Sequence, residues 1–172
     1  EMTGELANGW LGTSFMPEQA DIFLEPLLRG LAKSGRTLSD IDVQVGGSLE
    51  IDDDVERLIE ARRPAMAVTL GGMGSAKTNF YNDAFKRAGY AEAAEAVQAL
   101  WVSGDKAAAI RAVPDEMVLK TNLIGTREMI VERIKAYAAA GVTTLRISTS
   151  GRNWRERTET LAEATDLIHS IQ

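Results

Sequence analysis

The chain has 172 residues, 45% apolar and 26% charged, the make-up of a folded globular domain with a sizeable core. Lys and Arg number 19 against 25 Asp and Glu, and the net charge of −6 argues against a nucleic-acid backbone or an anionic membrane surface as the main partner. There is no cysteine, which excludes disulfides, thiolate metal sites and cysteine nucleophiles and makes the cytoplasm the expected compartment; no apolar run is long enough to span a membrane.

The opening Glu1-Met2-Thr3-Gly4-Glu5-Leu6-Ala7 reads as the middle of a longer chain and as the end of a helix. Gly9 to Ser14 reads as a short strand weakened by its glycines. Pro17 and Glu18 suit a helix start, and Leu24, Leu27, Leu28 and Leu31 share one helical face. Pro26 is expected to kink that helix or to begin a second one, and Gly35 to cap its C-terminus. Between Ile41 and Ile51, Val43, Val45, Leu49 and Ile51 recur at even spacing, a strand pattern. Gly46-Gly47 within it points to a bulge or a close approach of another backbone.

Residues 52–124 lose the alternating pattern. Short helices are predicted over 52–62, 64–70, 79–88, 91–103, 105–112 and 115–122, punctuated by Gly, Pro or Asn. Thr126 then reads as an N-cap for a helix carrying Ile130, Ile134, Tyr137 and Ala138, ended by Gly141. Val142 to Ser148 is a β-rich run. A last helix is predicted from Trp154 to Ile171, with Leu161, Ala164, Ile168 and Ile171 on one face. Strands alternating with helices imply a parallel sheet, but three strands are few for an independent α/β domain.

Four features invite a chemical reading. Gly71-Gly72-Met73-Gly74-Ser75-Ala76-Lys77-Thr78 approaches a phosphate-binding loop, with Ala76 where the second glycine is required. A glycine-rich turn between helices is the plainer reading. His169, the single histidine, falls near a helix C-terminus, where it complements the dipole better than it serves as a base. Asp52-Asp53-Asp54 reads as the acidic start of a helix ahead of a cation site, and no metal is expected. Trp10 is expected in the core, and Trp154 either lines a pocket or packs its helix.

Several segments together resemble the luciferase-like monooxygenase superfamily, in its deazaflavin (coenzyme F420)-dependent oxidoreductase branch. They are Leu6-Ala7-Asn8-Gly9-Trp10, Thr13-Ser14-Phe15-Met16-Pro17-Glu18, Gly71-Gly72-Met73-Gly74-Ser75 with Asn79-Phe80-Tyr81-Asn82, Val113 to Val118, Ile124-Gly125-Thr126 and Ala140-Gly141-Val142. The resemblance implies an α/β fold, the C-terminal part of a (β/α)8 TIM barrel with about three parallel strands. It makes 1–172 a partial barrel domain, with 52–124 a helical insertion before the penultimate barrel helix. It assigns the glycine motif to that insertion. Barrel chemistry sits at the C-terminal ends of the strands. That places Ser14, Phe15 and Met16, the segment Gly47–Glu50 and the segment Thr149–Trp154 at the active face. The resemblance makes Thr3, Ser14, Phe15 and Met16 the cofactor-binding candidates, Thr3 for a phosphate and Phe15 and Met16 beside the ring system. No catalytic residue is assigned, because the family's acid–base groups belong to the N-terminal half. The implied cofactor is F420, with FMN the alternative. The implied partners are a small organic substrate, the missing N-terminal half of the barrel and a second copy of the chain. A half-barrel inactive by itself is the reading from a different class.

Overall fold

The computed structural model describes residues 1–75, 77–151 and 153–171. They divide into two compact units, one built from residues 1–53 and 121–172, the other from residues 54–120.

The first unit is a parallel sheet with helices on one face. Its strands are β1 (Gly9–Leu11), β2 (Asp42–Ile51), β3 (Leu123–Gly125) and β4 (Thr144–Thr149), all parallel to β2 where they pair with it. β1 bonds the start of β2 and β3 its end, while β4 runs along the middle, from Gln44↔Thr144 to Leu49↔Thr149. Asp42 donates to Asn8 and Gln44 accepts from Gly12, whereas Val43 accepts from Thr143 and Leu49 from Ser150. Successive residues of a strand bond on opposite sides. β1 therefore takes one edge of β2 and β4 the other, and Asp52 donating to Gly125 puts β3 on the β1 side. The sheet was expected to show three strands. β3 is the addition, too short to leave a periodic pattern.

Helices α1 (Met2–Leu6), α2 (Asp21–Lys33), α8 (Arg127–Ala139) and α9 (Trp154–Ser170) complete this unit. Val43, Val45 and Leu49 of β2 are fully buried against Leu27, Leu31, Ile130 and Tyr137 of the helices. Pro26 neither splits nor ends α2, which is one continuous helix. It closes as predicted at Gly35, whose φ of 69° lets Arg36 donate back to Leu31 and Gly35 to Ala32. Gly46 and Gly47 do not interrupt β2. Their absent side chains admit other backbone: a Cβ on Gly46 would strike the Arg146 carbonyl, and one on Gly47 would lie 2.8 Å from the Thr121 carbonyl. Thr126 caps α8, accepting from Met129 at 3.4 Å. On α9 the buried residues are Ala164 and Leu167, and Leu161 is exposed.

The second unit is helical: α3 (Val55–Ala67), α4 (Phe80–Phe85), α5 (Ala91–Val102), α6 (Lys106–Arg111) and α7 (Asp115–Lys120). Here the predicted break at Pro64 does not occur. α3 runs through it and continues as a π-helical stretch, Val68–Gly72. Where that stretch ends, the Thr69 and Leu70 carbonyls lose their helical donors. Asn79 and Asn82, both buried, supply amide donors instead: Asn79 to both carbonyls, Asn82 to Leu70 and to Ala94. Arg63 joins α3 to the start of α7 through the Val113 carbonyl and the Asp115 carboxylate.

Candidate functional site

The C-terminal ends of the four strands form one rim of the first unit. β1 leaves its pairing at Gly12, which donates to Gln44 at 2.8 Å and packs under the Trp10 ring. Ser14 follows with φ of 54°, the left-handed region that a residue with a Cβ enters at a cost of about 1–2 kcal/mol. That turn drives Phe15 and Met16 inward. Phe15 is 3% exposed, edge-on to Trp10 at 6.0 Å and stacked on Tyr137 at 6.1 Å, and Met16 is 1% exposed. Their side chains belong to the core beneath the rim, and Ser14, half-buried, is the residue of the three that remains partly open. Arg133 secures the turn from α8: it pairs with Glu18 and lies 5.5 Å over the Tyr137 ring. Burial raises the Tyr137 hydroxyl above the usual tyrosine range.

At the end of β2, Glu50 and Asp52 are half-buried, and the Asp52 N–H donates to Gly125 at 3.0 Å. Gly125 has φ of 131°, which leads β3 directly into the Thr126 cap. Beyond β4, Ser150 donates to Leu49, and Arg157 donates to the Gly151 carbonyl at 3.1 Å. Arg152, within the predicted Thr149–Trp154 segment, lies outside the described residues. Asn153 caps α9 through Glu156, and Trp154 opens that helix with 76% of its surface exposed. The rim thus presents the hydroxyls of Ser14, Thr126 and Ser150, the carboxylates of Glu50 and Asp52, and one open indole.

Thr3 is not brought to this rim. Its helix, α1, crosses the second half of α2: a Cβ on Gly4 would strike the Leu27 carbonyl, and one on Gly30 the Glu1 carbonyl. Glu1 pairs with Lys33 at 2.5 Å and with Arg29 at 3.3 Å, which holds its carboxyl below the usual range. Ser14 to Met16 lead instead into the start of α2, which is about 20 Å long.

The other sequence features find structural roles. Gly71 and Gly72 carry the Trp101 ring: a Cβ on Gly71 would strike its Cβ, and one on Gly72 would lie 3.1 Å from its Nε1. Lys106 sits 5.2 Å over the same ring. The glycines end a helix, whereas a phosphate loop requires them to begin one. Ser75 and Thr78 close a turn on each other through backbone and hydroxyl; Ala76 lies outside the described residues. Asp54 accepts from Arg57 as the N-cap of α3. His169, exposed in the last turn of α9, is roughly 22 Å along that helix from Trp154.

Comparison with known proteins matches residues 1–144 to the luciferase-like monooxygenase family. A Mycobacterium tuberculosis protein named as a coenzyme F420-dependent oxidoreductase is 31% identical over 144 residues, 83% of this chain and 42% of that protein. The 5,10-methylenetetrahydromethanopterin reductase of Archaeoglobus fulgidus is 27% identical over 143 residues, with the same coverage of 83% and 42%. Among solved structures, the coenzyme F420-dependent tetrahydromethanopterin reductase of Methanopyrus kandleri superposes with a TM-score of 0.72 at 24% identity, over 99% of this chain and 47% of that one. An F420-dependent secondary alcohol dehydrogenase, solved with an F420-acetone adduct, gives 0.64 at 12% identity, over 99% and 45%. The chain spans less than half the length of each of these relatives. With most of its residues inside the family match and its parallel sheet superposing on part of such a barrel enzyme, the chain belongs to the luciferase-like monooxygenase family.

Proposed function

We propose that this chain supplies part of the active face of an F420-dependent oxidoreductase that moves hydride to or from a small organic substrate. The similarity over 83% of the chain to a protein named as a coenzyme F420-dependent oxidoreductase carries the reading. A bound deazaflavin would supply the hydride chemistry itself. The rim fits the ring end of such a cofactor. Ser14 offers a hydroxyl donor to polar ring atoms, and the open face of Trp154 offers a stacking surface. Thr3 lies away from the rim, against the second half of α2, and we assign it no phosphate. Phe15 and Met16 act from below, fixing the turn that holds Ser14 at the rim.

The test is a titration of the complete barrel with F420 and, separately, FMN, read by quenching of tryptophan fluorescence. Binding of F420 with a quench that Trp154→Phe diminishes is the expected result. Tight FMN binding without F420 binding would overturn the cofactor assignment. By itself the chain is expected to give no F420 turnover. The outer edges of β1 and β3 on one side and of β4 on the other are unpaired among the described strands, and Met2, Leu6 and Leu11 are exposed. Those features favour association with a complementary half or a second copy, and sedimentation of the isolated chain across concentration reads it directly. No helix among the described residues is long and apolar enough to cross a membrane.

A further inference from the structure

We propose that Arg146 is met by a side-chain carboxylate from the strands that complete the barrel, so that the open face of this sheet is closed by a buried ion pair at its centre. The proposal rests on the barrel fold and not on the cofactor.

The helices cover one face of the sheet. Val43, Val45 and Leu49 of β2 point into that core, and Leu145 and Ile147 of β4 pack against it. Side chains alternate along a strand, so Asp42, Gln44, Gly46, Ser48 and Glu50 of β2 and Thr144, Arg146 and Ser148 of β4 share the other face, Glu50 four residues beyond Gly46 toward the rim and already partnered. Thr144, Arg146 and Ser148 are all exposed there. The pairing sets them in rows: Gln44 with Thr144, Gly46 with Arg146, Ser48 with Ser148. Gly46 has no side chain to lay beside Arg146, and the flanking rows are uncharged. The nearby Asp42 carboxylate is already engaged by the Thr143 and Thr144 hydroxyls. Among the described residues the Arg146 guanidinium has no hydrogen-bond or ion-pair partner, its backbone being bonded within the sheet.

In a (β/α)8 barrel this face is the interior, filled by side chains from the surrounding strands. Covering an arginine there without a counter-charge is strongly unfavourable. Its position selects the partner. Arg146 stands three residues before the end of β4 at Thr149, about 10 Å below the rim where ligands bind. A side chain of the barrel wall lies level with Arg146, whereas a ligand at the rim meets it only if the arginine extends most of that distance upward. The covering strands must therefore present an Asp or Glu level with Arg146.

The test uses the complete barrel free of ligand, treated with phenylglyoxal and mapped by mass spectrometry. Arg146 is expected to react at least about tenfold more slowly than Arg155, which is exposed on α9, because a buried paired guanidinium must open before it is attacked. Arg146→Gln is expected to lower the unfolding temperature at pH 7, with the deficit shrinking toward pH 5 as the stranded carboxylate takes up a proton. Arg146→Lys should restore part of the loss. Labelling of Arg146 as fast as Arg155, protection that appears only when phosphate or F420 is added, or a deficit independent of pH would each overturn the proposal. If Arg146→Gln fails to fold, labelling of the unsubstituted protein decides alone. None of these readouts uses turnover, so failure here and failure of the F420 reading are separable.

Discussion

Ser14 is the residue at which conformation and proposed chemistry meet. Its left-handed backbone turns the chain from β1 into the aromatic cluster, and nothing in the letters Thr13-Ser14-Phe15 announces this, because serine is not a residue that marks positive φ. Ser14→Gly removes the strain and should leave stability unchanged or slightly raised, while Ser14→Val should cost about 1–2 kcal/mol, both read from urea unfolding midpoints. If Ser14 serves the cofactor, Ser14→Gly will also weaken F420 binding without that loss of stability. Phe15 and Met16 show how far a motif reaches without packing: their place in the chain suggests the ring system, and the fold buries both in the core beneath the turn. The glycine pair Gly71-Gly72 shows the converse. A local pattern resembled a phosphate loop, but its cause is the distant Trp101, which only the folded chain brings over it. Gly71→Val should therefore destabilise the helical unit by about 1–3 kcal/mol through overpacking. Asn82→Ala, which strips donors from the buried Leu70 and Ala94 carbonyls, should cost a similar 1–3 kcal/mol or so.

Among the elements, helix existence was legible wherever an apolar stripe and a cap coincided, as in α8 with Thr126 or α2 with Gly35. The predicted break at Pro64 is absent, and no second helix begins at Pro26. A helix interior bears a proline when packing outweighs the lost hydrogen bond, and Leu24, Leu27 and Leu31 of α2 are buried around Pro26. β3 escaped because its three residues, Leu123–Gly125, are too few to show a period. The crossing of α1 over α2 is a contact of backbones through Gly4 and Gly30. Gly30→Val should lift α1 away, seen as faster amide exchange over residues 2–6 with little change in β2. The register of β2 against β4 has its own pin. The Thr143 hydroxyl, then that of Thr144, hold the Asp42 carboxyl below the usual range. A carboxyl held low contributes stability above its unfolded value, near pH 4, and loses it as pH falls through the folded one. The unfolding midpoint of Asp42→Asn should therefore trail the parent by a constant amount at neutral pH and converge with it in acid.

For the whole molecule, strand and helix signals alternate toward both ends of the sequence and give way to short helices between, and the chain folds as two compact units. The sequence predicts the helical stretch over 52–124, and one compact unit spans residues 54–120. At its C-terminal side the difference is residues 121–124, where a helix predicted to residue 122 ends at Lys120 and β3 pairs with β2. Leu58, Leu70, Phe85, Val97, Met117 and Val118 all lie within residues 54–120 and are buried. Expressed alone, residues 54–120 should unfold cooperatively in urea by far-ultraviolet dichroism; a gradual, non-sigmoidal loss would show that the unit depends on the sheet. The clasp between Leu49–Ile51 and Leu123–Gly125 brings the exit and return points of this excursion together, with Asp52 bonded to Gly125. The entropy of closing a loop grows only slowly with its length. The clasp therefore works as a splice joint. The helices between its jaws can be lengthened, shortened or exchanged while the strand register on either side stays as it is.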